Sequence, residues 1–376
     1  MSGAAPSSSP SPTALGAVPA PTTTPSVARL IGVHILPFAA VFITPTLALV
    51  AYSQEGFAAW TPVWVLFGIV PVLDHLSGIN RENPLLPPRI SRALASLALI
   101  AAPVMFGVML LGVRQVALSV GAAAWWDVLG WTISAGISGG ISIQVAHELM
   151  HRPGRIEQRA ADLLMLGTCY PHFSIEHVQG HHKHVSTPGD PASSRKGESL
   201  YQFLPRTVIW GLRSAWQIEL RRSGSWWNNR MVAYALAQLV LIGAIGLAWG
   251  MLAVVAFFAQ AIVAIGLLEV VNYIEHYGLS RPAKQVTRPD GVVETSYGRV
   301  LPQHSWNASH RVSNWLLLNL ARHSDHHAFA ARPYPELRHY EDVPQFPTGY
   351  AGMVLLALVP PVWFRLMDPR VDAIQR

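Results

Sequence analysis

Long apolar runs alternate with short polar breaks along most of this chain. A helix that crosses a bilayer needs about 20 mostly apolar residues. Six stretches meet that length, roughly residues 29–51, 57–76, 90–113, 122–146, 231–250 and 252–275. The last two form one block that must break near Gly246 to Gly250. A further stretch, Tyr350 to Phe364, is shorter and carries Pro360 and Pro361, so it reads as an interfacial or re-entrant element. Residues 147–230 and 276–376 are more polar and are expected to build a helical cytoplasmic cap. The fold expected is an all-α integral membrane protein with six transmembrane helices and a helical cytoplasmic cap. Residues 1–27 are rich in Ser, Pro, Thr and Ala and lack Lys and Arg. They read as a disordered tail and not as a signal peptide, leaving 28–376 as a single membrane-embedded domain.

Composition agrees with that pattern. Half the chain (51%) is hydrophobic and 13% is charged, against roughly 25% charged in soluble domains. The net charge of +6 follows topology and does not call for nucleic acid. With the N-terminus cytoplasmic, the outward loops near 52–56, 114–121 and 250 hold one basic residue, Arg114. Every other Lys and Arg then falls on the cytoplasmic side, as the positive-inside rule expects. The one cysteine, Cys169, rules out a disulfide within the chain. No CxxC pair exists, so neither a thiolate zinc site nor a fused iron–sulfur carrier is present.

Histidine placement changes the picture. Nine of the sixteen histidines fall in four clusters. These are His147 and His151; His177, His181 and His182; His276; and His323, His326 and His327. Residues three or four apart share a helix face. His147 is thus expected to point with His151, His177 with His181, and His323 with His326 and His327. The charge-based topology brings all four clusters to the cytoplasmic face. Imidazole is the commonest metal ligand among side chains, and it suits iron, copper, nickel and zinc alike. Nine ligands are too many for one ion and give two ions four or five each, so the helical cytoplasmic cap is expected to hold a histidine-rich di-metal site.

Two rival readings use the same residues. His147-Glu-Leu-Met-His151 matches the H-E-x-x-H of zinc peptidases, but that reading needs only one further ligand and leaves six clustered histidines without a role. A ferritin-like site would use Glu148-x-x-His151 and Glu336-x-x-His339, but its carboxylate-rich quartet is absent. His34, His75 and His339 read as isolated bystanders. His172, His184, His304 and His310 read as supporting or structural. Gly136 and Gly140 give a GxxxG spacing that lets another helix approach.

Taken together, the clusters resemble the membrane-bound non-haem di-iron alkane 1-monooxygenase family, within the wider histidine-box group that includes fatty-acid desaturases and xylene monooxygenase. The general boxes are His147-Glu-Leu-Met-His-Arg152, Glu176-His-Val-Gln-Gly-His-His182 and Leu320-Ala-Arg-His-Ser-Asp-His-His-Ala328. The segment Asn272-Tyr-Ile-Glu-His-Tyr-Gly-Leu279 resembles the signature that separates alkane hydroxylases from desaturases. The stretches Thr187–Arg195, His304–Asn307 and Pro347–Met353 match as well, and the resemblance runs from about 30 to 372. It implies terminal hydroxylation of n-alkanes to 1-alcohols with dioxygen as co-substrate. It implies two iron ions held by His147, His151, His177, His181, His182, His276, His323, His326 and His327. It also implies the bacterial inner membrane, with the active site facing the cytoplasm. Electrons would come from a separate rubredoxin, reduced by an NAD(P)H-dependent rubredoxin reductase.

Six carboxylates in or near the boxes, Glu148, Glu176, Asp190, Glu269, Glu275 and Asp325, are expected to orient histidine N–H groups. Trp64 and Trp131 are expected to line the substrate channel and limit chain length. Arg195, Lys196, Arg221 and Arg222 are expected to help dock an acidic rubredoxin.

Overall fold

The computed structural model describes residues 27–375. Apart from Val27, the expected tail lies outside the described residues. Six helices among them are long and apolar enough to cross a membrane, and the protein is a multi-pass membrane protein. They are Leu30–Tyr52, Gly56–Ser77, Pro88–Ser119, Trp125–Met150, Arg230–Trp249 and Met251–His276, here called spans one to six. Span three outruns the expected 90–113, because exposed Arg114 is a good helix former and leaves the backbone ladder intact. The break comes instead at Gly121, whose φ of 84° suits only glycine.

Span four is the centre of the bundle. Of its most apolar window 72% is buried, against 17% for span five. Glycines explain how it sits so close to span six. A Cβ on Gly136 would lie 2.3 Å from Val263 Cβ, and one on Gly139 would lie 3.0 Å from Ala264 Cβ. The glycine face therefore lets the two helices run side by side and brings their C-terminal ends, at His147 and His276, together.

Between spans four and five the chain forms helices Arg155–Gly167 and Leu200–Ser223 with a compact histidine-bearing segment between them. Gln260 of span six donates to the Gly167 carbonyl at 2.8 Å, tying this region down. Helices Tyr350–Ala357 and Pro360–Gln375 meet at 119°, with the bend at the expected prolines.

One element departs from the helical expectation. Ala283–Thr287 and Val293–Tyr297 pair as an exposed antiparallel hairpin. The signal was Pro289-Asp290-Gly291 between two runs rich in Val and Thr, with Gly291 at φ 81° closing the turn.

Candidate metal centre

Span four presents His147 in its last turn and His151 as the residue that ends it, with the rings 5.0 Å apart. His276 is the last residue of span six. His323, His326 and His327 lie on a six-residue helix, His323–Ala328. The remaining cluster sits on a π-helical turn, Glu176–His181, in which the His182 N–H bonds back to the His177 carbonyl. Gly180 lies in this turn close to the Glu176 carboxylate, where a Cβ would come within 2.5 Å of Oε1.

That turn redirects the side chains. In place of the expected His177–His181 pairing, His177 and His182 meet, with their Nε2 atoms 3.0 Å apart. His181 turns the other way and lies 3.2 Å from His327 Nε2. The reason is the wider turn, which stacks residues five apart. His326 and His327 are also split, although His323 and His327 keep the i,i+4 relationship.

The nine histidines sort into two groups. His147, His151, His177, His182 and His326 each offer a nitrogen within 4.8 Å of the others, and His181, His276, His323 and His327 do the same. Facing Nε2 atoms stand 3.1 Å apart in His182–His326 and 3.2 Å apart in His276–His323. Two nitrogens bound about 2.1 Å from one ion stand roughly 3.0–3.4 Å apart, so this spacing fits ligation. His147 has both ring nitrogens buried without a hydrogen-bond partner, and His151 Nε2 is in the same condition. Burial also pushes His151 down to about 3 and holds His177, His182, His323, His326 and His327 well below 6.5. Neutral imidazoles keep the lone pair that a metal needs. The donor set fits a metal site.

Two of the six candidate carboxylates contact histidine. His181 Nδ1 donates to Asp190 Oδ2 at 2.8 Å, and Ser193 Oγ donates to the same oxygen at 2.5 Å. Burial would lower His181, but the Asp190 charge outweighs it and raises its pKa. Glu275 Oε2 lies 3.2 Å from His323 Nε2, and its other oxygen accepts from Tyr350 at 2.9 Å. The other four hold the scaffold. Glu148 pairs with Arg152 at 2.7 Å, and Glu269 accepts from Tyr170, Thr207 and Asn272. Asp325 accepts from Arg332, Tyr340 and the Arg338 amide. Glu176 bonds Ser214, and burial raises it to about 8. Glu148 facing Arg152 weighs against the peptidase reading, in which this carboxylate must address metal-bound water.

Three supporting contacts were not legible. Ser193 acts through Asp190, three residues before it, Tyr350 acts through the sequence-remote Glu275, and the His304 carbonyl accepts from His276 Nδ1 at 3.4 Å. A backbone acceptor leaves no residue-type signal, and the matching stretches that contain Ser193, His304 and Tyr350 did not single these residues out. Two of the bystanders have polar partners away from the centre: His34 with Glu82 at 2.9 Å and His339 with Ser309 at 2.8 Å.

A narrow apolar cavity adjoins the centre, lined by Leu66, Phe67, Ile137, Leu267, Leu316 and Val354 among others. Tyr350 lines it and also holds Glu275. Trp64 and Trp131 do not line it. Trp131 is buried and donates to the carbonyls of Ala51 and Gln54 at 2.8 and 2.9 Å. Trp64 stacks on Phe57 and donates to its carbonyl at 2.9 Å.

Residues 123–357 match the family model described as "Fatty acid desaturase". The chain is 43% identical over 333 residues to Alkane 1-monooxygenase 1 of Pseudomonas aeruginosa, covering 85% of each protein. It is 38% identical over 332 residues to Alkane 1-monooxygenase 2 of Alcanivorax borkumensis, again covering 85% of each. Likeness to the xylene/toluene monooxygenase hydroxylase component of Pseudomonas putida is lower, 30% over 70% of this chain and 69% of that one. Coverage of that extent, together with the converged histidines, makes this chain a member of the alkane 1-monooxygenase family, on the fatty acid desaturase type of scaffold.

Proposed function

We propose that this chain hydroxylates the terminal methyl of n-alkanes, using dioxygen and electrons from reduced rubredoxin. The carrying observation is the pair of histidine groups, five and four, beside a narrow apolar cavity. Likeness to the alkane 1-monooxygenases supports the substrate class. In this reading each group holds one iron, and residues 28–376 act as one membrane-embedded unit with the centre facing the cytoplasm.

Two irons would supply the redox chemistry that dioxygen cleavage requires. The chain's own work is positioning. Asp190 holds His181 through Nδ1, which leaves Nε2 free to face the centre. The His304 carbonyl does the same for His276, and Tyr350 steadies Glu275 beside His323. An alkane offers no hydrogen-bonding handle. Leu66, Ile137 and Leu267 can select it only by shape, and a narrow cavity admits a chain end-on. That geometry favours the terminal methyl although its C–H bond is stronger than those inside the chain.

Electron entry has a matching site. A polar cavity of about 360 Å³ is lined by Arg195, Arg206, Arg213 and Asp190. Asp190 touches His181, so this is a short route from a basic surface to the four-histidine group. An acidic rubredoxin suits that surface.

The test is product analysis. A ladder of n-alkanes is supplied to membranes containing this chain, rubredoxin and reductase, and products are identified by mass spectrometry. 1-Alcohols are expected. Desaturated products, internal alcohols or turnover only of methylbenzenes would overturn the reading.

A further inference from the structure

A third cavity, of about 680 Å³, lies between helix Leu200–Ser223 and the start of span five. It shares no lining residue with the narrow cavity described above. Ile209, Leu212, Trp216 and Met231 supply apolar walls, and His172 and Gln238 also line it. Its size suits a small amphiphile.

Its polar groups set it apart from a lipid-filled crevice. His172 Nε2 and Gln238 Oε1 are both buried and have no hydrogen-bond partner. Gln238 uses its amide nitrogen on Cys169 Sγ at 3.4 Å, which leaves the carbonyl oxygen open. Burial pushes His172 down to about 4, so the ring is neutral at neutral pH and has one donor and one acceptor nitrogen. A buried polar atom left unpaired costs about 1–3 kcal/mol. An alkane cannot relieve that cost. A hydroxyl can, since it both donates and accepts.

The cavity is linked to the metal centre through the segment that carries His172. The His172 ring lies 4.2 Å from that of Tyr170, and the next residue, Phe173, stacks on His177 at 4.8 Å.

We propose that this cavity binds a single-chain primary alcohol, its tail against Ile209, Leu212 and Trp216 and its hydroxyl on Gln238 or His172. Resting on the hydroxylase reading, the natural occupant is the product, which thereby has a site separate from the incoming alkane. A bilayer lipid with a hydroxylated headgroup offers the same chemistry, and the test separates the two.

The metal-loaded protein in lipid nanodiscs is exposed to a diazirine-tagged C12 primary alcohol and irradiated, and labelled peptides are mapped by mass spectrometry. Label is expected within 209–217 and 231–238. Excess 1-dodecanol should displace it and dodecane should not. Gln238→Leu should weaken labelling about fivefold, the worth of one hydrogen bond, with metal content unchanged. Ala235→Trp fills the cavity and should abolish labelling there, so the result does not depend on one variant folding. Label confined to peptides around Leu66 and Ile137, or equal displacement by dodecane, would overturn the proposal. So would a diazirine-tagged phosphatidylglycerol that labels the same peptides and resists 1-dodecanol. Labelling needs no turnover, so a chain that binds the alcohol but hydroxylates no alkane would remove the product role and leave the site standing.

Discussion

His181 and His182 are neighbours in sequence and serve opposite halves of the histidine cluster. His182 Nε2 lies 3.0 Å from His177 and 3.1 Å from His326, whereas His181 Nε2 lies 3.2 Å from His327. A metal should therefore respond separately to each. Purified protein is expected to hold two irons per chain by elemental analysis. His326→Ala should lower that toward one by emptying the five-histidine group, and His276→Ala should do so through the four-histidine group. One zinc per chain, with proteolysis that Glu148→Gln abolishes, would refute the di-iron reading.

Asp190 addresses the metal only through His181. Asp190→Asn should weaken iron binding roughly 10- to 100-fold, the usual effect of losing such a partner. Glu269→Gln should weaken it far less, because Glu269 accepts from Tyr170, Thr207 and Asn272 and touches no histidine. Competition with a chelator ranks the variants, and equal affinities for the two would contradict this assignment.

Chain-length selection should follow the narrow cavity. Leu66→Phe adds bulk to a lining position and should shift the preferred alkane toward shorter chains, since overpacking costs about 1–3 kcal/mol. Trp131→Ser is expected to behave differently. It removes a buried indole that holds the turn between spans one and two, and losing a large core side chain costs about 3–5 kcal/mol. Lower yield with an unchanged length profile is the expected outcome. A clear gain of longer alkanes in Trp131→Ser would return that residue to the channel.

The donor surface can be mapped by charge. Lys196 already pairs with Asp372, and Arg222 pairs with Glu219 at 2.7 Å. Arg195 is exposed and lines the cavity at Asp190. Arg195→Glu should therefore slow rubredoxin-dependent turnover more than Lys196→Glu, with iron content unchanged. Raising the salt concentration should shrink the difference, because steering by exposed charge is screened. Rates that ignore both charge and salt would leave these residues a topological role only.

The sequence by itself determined the six spans, the bend at Pro360 and Pro361, and which nine histidines converge. Each depends on local properties. A run of about 20 apolar residues can bury its backbone polar groups only as a helix, and histidine identity is written residue by residue. Tertiary structure alone decided how those histidines divide. An ideal helix would have kept His177 with His181; a π turn over Glu176–His181 sent them apart. It also decided that Glu148 faces Arg152 while Asp190 faces His181, although both stood beside the boxes as equals. Trp131 likewise has the apolar character of a channel wall, yet its indole holds a turn far back in the sequence. Such outcomes depend on where remote segments dock, and residue spacing carries no record of that.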